Sequence, residues 1–111
     1  MTNLTRFQLD LLIDIAGHPD THGLAIKERL EDHYGHDINH GRLYPNLDSL
    51  AEQGLITKGT HDERTNKYAL NRRGKRELED RFAFFKHNVE RTHEIVDRKG
   101  DAVAFVPDGG R

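Results

Sequence analysis

The sequence predicts a mainly α chain carrying one small β-hairpin, and three observations predict it. Apolar residues recur at helical spacing in three short stretches before residue 54. Two short runs rich in β-formers, "LITKGT" and "KYAL", flank the polar hexapeptide "HDERTN", the pattern of a hairpin with a polar tip. Beyond residue 71 the apolar positions Leu78, Phe82, Phe85, Val89, Thr92 and Val96 fall into the a/d spacing of a coiled coil.

Helix 1 opens at Thr5, where Gln8 completes a capping box. Its apolar set is Phe7, Leu11, Leu12, Ile15 and Ala16, and Gly17-His18-Pro19-Asp20 ends it. Helix 2 runs from about Gly23 to Tyr34, with Leu24, Ile26, Leu30 and Tyr34 as inward positions and Gly35 as its stop. Helix 3 follows the N-cap Asn39 and ends at Gly54, a glycine suited to the left-handed conformation past a helix C-terminus. The hairpin comes next, then a helix of about 27 residues, near 40 Å long at 1.5 Å per residue. The chain therefore divides into a globular part at 1–71, a long helix at 72–99 and a tail at 100–111 expected to fray.

Composition narrows the function. With 34% hydrophobic and 32% charged residues, the 111-residue chain is polar but able to build a modest core. It has no cysteine, which removes disulfides, thiolate metal sites and thiol redox chemistry, and fits an intracellular, cytoplasmic protein. The N-terminal stretch lacks a basic region, and Asp10 and Asp14 interrupt its apolar run, so neither signal peptide nor membrane span is expected. No catalytic constellation is visible: Ser49 has no base, there is no phosphate loop, and no paired acid and base. The reading is not an enzyme. His33, His36 and His40 have ligand-like spacing but straddle a helix end without a thiol or carboxylate pair, so no metal and no cofactor are expected.

Charge is unevenly spread. The formal net charge is −2, yet residues 57–76 hold seven basic side chains against Asp62 and Glu63, a local +5. The rest of the chain then carries 10 basic and 17 acidic residues. A basic patch on an acidic body is a footprint for a polyanion. Arg over Lys (11 to 6) and Asp over Glu (11 to 8) is compatible with a halophilic host.

Helix 3 contains an oddity. Gly41 and Pro45 lie inside "NHGRLYPNL", although interior Gly costs about 1 kcal/mol and interior Pro about 3 relative to Ala. On a helical wheel Leu43, Leu47 and Leu50 point inward, while Gly41, Arg42, Pro45, Ser49 and Glu52 point out. Small, rigid residues on the outward face let the backbone approach another surface, with Arg42 as the reaching group. The plainer alternative is that Gly41 relieves a clash with helix 2 and Pro45 ends a tight first turn. Helix-turn-helix followed by a hairpin is the winged-helix order, whose second helix enters the DNA major groove.

"GRLYPNLDSLAEQGLI" (41–56) is very similar to the signature of PadR-like winged-helix transcriptional regulators, and "KYALNRRGKREL" (67–78) resembles that family's wing strand and the start of its long helix. "HGLAIKERLEDHYG" with "INHGRLYPNLD" resembles haloarchaeal members in particular. The resemblance spans roughly residues 5–98. It implies a winged helix-turn-helix domain plus a C-terminal dimerisation helix, in a homodimeric regulator, usually a repressor, that binds double-stranded DNA and no membrane. Two departures stand out: Arg42 replaces the family's common Thr, which alters base preference, and Asn71 replaces the usual Thr at the start of the long helix.

On this reading the recognition helix 39–53 offers Asn39, His40, Arg42, Tyr44, Asn46 and Ser49, with Arg42 able to read guanine bidentately or clamp phosphate. The wing 60–67 offers Arg64, Thr65, Asn66 and Lys67. Arg72, Arg73, Lys75 and Arg76 begin the long helix, where cations oppose its dipole unless an anion partners them. The dimer interface comprises Leu78, Phe82, Phe85, Val89, Thr92 and Val96, with Phe7 and Leu11 packing on the partner's long helix. Phe82, Phe84 and Phe85 would also suit a pocket for a planar effector, although a dimer core explains them. The rival reading is a winged-helix module that docks a protein without reading DNA.

Overall fold

The computed structural model describes the backbone of residues 2–60 and 66–99 and, within these, side chains up to Gly59 and from Asn66 to Thr92. In chain order the elements are α1 (Arg6–Gly17), β1 (Thr21–His22), α2 (Gly23–Tyr34), α3 (His40–Glu52), β2 (Ile56–Thr60), β3 (Asn66–Leu70) and α4 (Arg72–Lys99). They fall into two units, residues 1–78 and residues 79–111.

Local chemistry sets the helix ends of the first unit. Thr5 Oγ1 accepts from the Gln8 amide at 3.1 Å, and Gln8 Oε1 accepts from the Thr5 amide at 3.1 Å, so two donors at the start of α1 are satisfied reciprocally. Gly35 closes α2 with a φ of 79°, a conformation that costs glycine nothing. Asn39 caps α3 through its side chain. Asn71 does more than cap α4: its Oδ1 accepts from the Gly74 amide at 2.9 Å while its Nδ2 donates to the Gly54 carbonyl at 2.6 Å. It thereby ties the long helix to the end of α3.

The sheet has three strands, in the order β1-β3-β2, all antiparallel. β2 and β3 form the expected hairpin, with Ile56 opposite Leu70 and Thr60 opposite Asn66. The strand β1 was not expected: Thr21 pairs with Tyr68 and His22 with Lys67. This contact draws the start of α2 against the wing.

The core is built from Leu11, Leu12 and Ile15 of α1, Ile26 and Leu30 of α2, Leu43, Leu47 and Leu50 of α3, and Leu55, Ile56 and Tyr68 of the hairpin. A charged pair stitches its edge: Arg29 donates to both carboxylate oxygens of the largely buried Asp14, at 2.9 and 2.8 Å, and to Thr21 Oγ1 at 2.7 Å. One bidentate group thus links α1, α2 and β1.

Several expectations are corrected. Leu24 is 55% exposed. It lies two residues from buried Ile26, about 200° around the helix, and so faces away from the core stripe. Ala16 is exposed in the last turn of α1. Phe7 and Leu11, assigned to a partner chain, are 5% and 0% exposed within their own core. Their surface is already used here, leaving Leu11 nothing to offer a partner.

In the second unit α4 continues as a helix, and Phe82, Phe85, Val89 and Thr92 share one face by their spacing. Phe82, Phe84, Phe85 and Val89 are 50–66% exposed. Thr92 is exposed as well, its hydroxyl donating to the Asn88 carbonyl at 3.0 Å. Leu78, still in the first unit, is half-buried against the core. The side chain of Val96 lies outside the described residues.

Candidate nucleic-acid interface

Three fully buried leucines, Leu43, Leu47 and Leu50, fix the inner face of α3. The outer face then carries Gly41, Pro45, Asp48 and Glu52, all exposed. The two helix-disfavoured residues therefore do lie on the outward side near the N-terminus. Gly41 has a local role too. A Cβ there would stand 3.1 Å from Asn39 Oδ1, the atom that accepts the Gly41 amide at 2.7 Å. The glycine leaves room for its own N-cap, and not for helix 2 as the plainer alternative held.

The electrostatics of α3 change along its length. Its N-terminal turn holds His40 and Arg42 at the positive end of the helix dipole, with the Gly41, Arg42 and Leu43 amides taken up by Asn39. Its C-terminal half exposes Asp48 and Glu52, with Asp48 paired to Lys58 at 3.2 Å. Only the first two turns suit a polyanion.

The sequence-assigned contacts separate into groups. Arg42 sits at the protruding end with its guanidinium carbon 3.9 Å above the Phe7 ring centroid. That cation–π rest position covers Phe7 and holds the arginine at the surface. His40 and Tyr44 stack, with centroids 5.8 Å apart and planes 16° from parallel. Asn46 is engaged at both ends of its amide: Nδ2 donates to the Arg42 carbonyl at 2.7 Å, and Oδ1 accepts from Gln8 Nε2 at 3.0 Å. It faces α1. Ser49 Oγ accepts from Gln53 Nε2 at 3.1 Å in the C-terminal half.

In the wing, Asn66 and Lys67 are half-buried at the start of β3, the loop end of the hairpin, where Lys67 pairs with His22 ahead of α2. Arg64 and Thr65 lie outside the described residues. Arg72, Arg73, Lys75 and Arg76 are exposed, but they stand at the other end of α3. Arg73 Nη1 would lie 3.6 Å from a Cβ on Gly54, just past the α3 C-terminus. Cations there complement the negative end of the α3 dipole, which offsets their unfavourable place at the start of α4.

Residues missed by the sequence reading lie around β1. Gly23 carries the Tyr44 ring so closely that a Cβ would stand 2.8 Å from Tyr44 Cε1. Tyr68 and His22 are placed beside them, and no spacing rule links positions 22, 44 and 68 before β1 pairs with β3. Among the described residues no group of three or more His, Asp or Glu side chains is arranged to hold a metal, and no helix is long and apolar enough to cross a membrane.

Helix-turn-helix, paired wing strands and a following long helix define a winged-helix protein. The family model described as the transcriptional regulator PadR-like family matches residues 12–80, and the chain belongs to that family. It is similar to the structure of H. salinarum RosR grown from NaBr, with 41% identity over 86% of this chain and 93% of that one and a TM-score of 0.74. A complex structure of hsRosR-S1 shares 41% identity over 86% of this chain and 90% of that one, with a TM-score of 0.71. Streptococcus pneumoniae FabT in complex with DNA shares the fold at 17% identity, over 96% of this chain and 66% of that one, with a TM-score of 0.65. No curated protein sequence matches.

Proposed function

We propose that the protein is a homodimeric DNA-reading repressor that inserts the N-terminal two turns of α3 into the major groove and grips the adjacent backbone with its wing. The observation that carries this reading is the outer face of α3. Gly41 and Pro45 stand exposed over an inner face locked by three buried leucines, with Arg42 beside them. A helix so built has a rigid anchor and a bare, cationic tip. The likeness to RosR and the shared fold with DNA-bound FabT support the same reading.

Dimerisation rests on α4. Phe82, Phe85 and Val89 are at least half exposed and form an apolar stripe at the spacing of a two-helix seam. Two such chains present two recognition helices, which fits a pseudo-palindrome with half-sites one or more turns apart.

The test is fluorescence-anisotropy binding to DNA from upstream of the protein's own gene, against unrelated DNA, across a KCl series. Selective binding weakened by Arg42→Ala by about 1–3 kcal/mol is expected. Equal weak binding to both DNAs, unchanged by the substitution, would sink the reading in favour of a protein-docking module. Sedimentation of Phe82→Glu/Phe85→Glu tests the second half: the variant should run as a monomer, and a monomeric wild type would refute the dimer.

A further inference from the structure

We propose that Phe7 is a positioning residue for Arg42: its ring seats the guanidinium on the α1 flank of α3, where the arginine clamps a backbone phosphate and does not read a base. The proposal rests on the regulator reading above and assigns the contact that Arg42 makes within it.

Geometry sets the Arg42 head group apart from the outer face of α3. At about 100° per residue, Arg42 stands about 100° round the helix from Gly41 and about 60° from Pro45. Its guanidinium turns towards α1, with Cζ 3.9 Å from the Phe7 ring centroid. Asn46 lies on the same flank, its Oδ1 accepting from Gln8 Nε2 of α1. In a groove the outer face of a recognition helix meets base edges, and its flanks meet the phosphate walls.

The seat is itself held in place. Phe7 is 5% exposed and packs on Tyr34, with ring centroids 6.5 Å apart. The Tyr34 hydroxyl donates to Asp10 Oδ2 at 2.6 Å, and Asp10 Oδ1 accepts from Arg6 Nε at 3.3 Å. Arg42 differs from its neighbours in what it leaves free. Arg29 commits its fork to Asp14 and Arg6 its Nε to Asp10. Arg42 instead uses the face of its guanidinium, and the N–H groups round the edge make no hydrogen bond among the described residues. A stacked guanidinium with its edge donors free is preorganised for a phosphate, because little rotamer freedom remains to be lost on binding. Swinging out to a base would forfeit the cation–π contact and uncover Phe7, whereas clamping a phosphate from the seat forfeits neither.

The experiment uses the full chain and the upstream duplex. The first readout is the Arg42 Nε–H and Cδ–H proton resonances, assigned by their loss in Arg42→Ala. Protons above an aromatic ring are shifted upfield by its ring current. They should lie upfield in the free protein, return to the ordinary arginine range in Phe7→Leu, and stay upfield in the DNA complex. Anisotropy supplies the second readout. Phe7→Leu should weaken binding about 2- to 5-fold and add nothing in an Arg42→Ala background. Arg42→Ala should weaken binding to the duplex and to its single-base variants by one common factor. It should also reduce the slope of log affinity against log KCl by about 1. Circular dichroism melts fix a temperature at which the variants are folded. Should Phe7→Leu fail to fold, the wild-type resonances and the Arg42→Ala series decide. The proposal is overturned if the upfield shift is absent from the free protein or lost in the complex. It is overturned equally if Phe7→Leu weakens binding as much without Arg42 as with it, or if the Arg42→Ala loss vanishes at one base change, the mark of a base reader. Each of these results, on a wild type that binds the duplex, leaves the regulator reading standing; a wild type that binds no DNA overturns both.

Discussion

Gly74 gives the sharpest stability prediction, because two opposing effects act on one residue. It lies in the first turn of α4, where replacing Gly by Ala ordinarily stabilises a helix by up to about 1 kcal/mol. Here a Cβ would stand 2.1 Å from the Leu55 carbonyl oxygen and 2.7 Å from Leu70 Cδ1. The leucine tip can rotate away, but the carbonyl belongs to backbone and also accepts the Asn71 amide at 3.2 Å. The helix start must therefore retreat, at an overpacking cost of about 1–3 kcal/mol. The retreat also strains the Asn71 bonds to Gly54 and Leu55, each worth about 0.5–1.5 kcal/mol. Set against the propensity gain, Gly74→Ala should destabilise by about 2 kcal/mol. For a chain of this size that lowers the melting temperature by roughly 6–12 °C. Thermal unfolding followed by circular dichroism at one fixed protein concentration reads it, with Gly17→Ala as the control. Gly17 ends α1 with nothing within 4 Å of a Cβ, so that variant should melt at or slightly above wild type. A Gly74→Ala variant that melts with the control would refute the packing argument.

Other outcomes follow from the same geometry. The Glu31 carboxylate is held below its ordinary pKa, first by the Ile38 amide at 2.7 Å and then by Lys27 at 2.9 Å. A depressed carboxyl contributes stability that is full above its unfolded value near 4.5 and lost as pH falls through the lower folded value. The urea midpoint of wild type should therefore fall towards that of Glu31→Gln as pH drops from about 5 to about 3, and a constant gap would contradict it. Asn46→Ala should cost about 1 kcal/mol of stability, because both ends of the amide are bonded internally, while leaving DNA affinity near wild type. A large affinity loss with an unchanged melt would mark Asn46 as a base contact instead. Arg29→Ala leaves the largely buried Asp14 carboxylate with only His18 Nδ1, 3.9 Å away, as a charged neighbour and should cost about 1–3 kcal/mol; a chemical melt indistinguishable from wild type would argue that solvent already reaches the pair.

What the sequence made legible was local. The Thr5 capping box, the Gly35 stop, the Asn39 cap and the α3 leucines are each decided within about four residues, and periodicity reads such features directly. What it hid was non-local. β1 is two residues long and exists only because Thr21 and His22 meet a strand some 45 positions later, so no run of β-formers announces it. The packing of Tyr44 on Gly23 beside Tyr68 was hidden for the same reason. The basic cluster at 72–76 shows a different limit: spacing revealed the charge but not its address. Asn71 and Gly54 place it by the α3 C-terminus, away from the Asn39 end. Phe7 and Leu11 show a third, since an apolar stripe does not say whether its cover is this chain or another.

The Gly-Pro oddity of α3 now has a physical account at both its ends. Pro45 lacks the N–H that would bond the Gly41 carbonyl one turn earlier. In most helices that would strand an acceptor, but Gly41 is exposed and has no side chain, so water reaches the carbonyl. The remaining penalty, about 4 kcal/mol for the two residues together, falls on a helix whose three buried leucines each contribute about 1.5–3 kcal/mol. The helix therefore tolerates the pair only because its inner face is so well anchored. Helix propensity alone would favour alanine at both positions. Yet Gly41→Ala would crowd the Asn39 cap, and Pro45→Ala would restore a hydrogen bond while loosening a rigid outer face. The retained cost lies on the exposed, cationic face of α3 at Gly41, Arg42 and Pro45, and ends where Asp48 and Glu52 turn the surface acidic. Replacing Asp48 with Asn should for that reason tighten DNA binding while Arg42→Ala loosens it, read by anisotropy on the same duplex; equal effects of the two substitutions would contradict the division of α3 into a cationic tip and an acidic end.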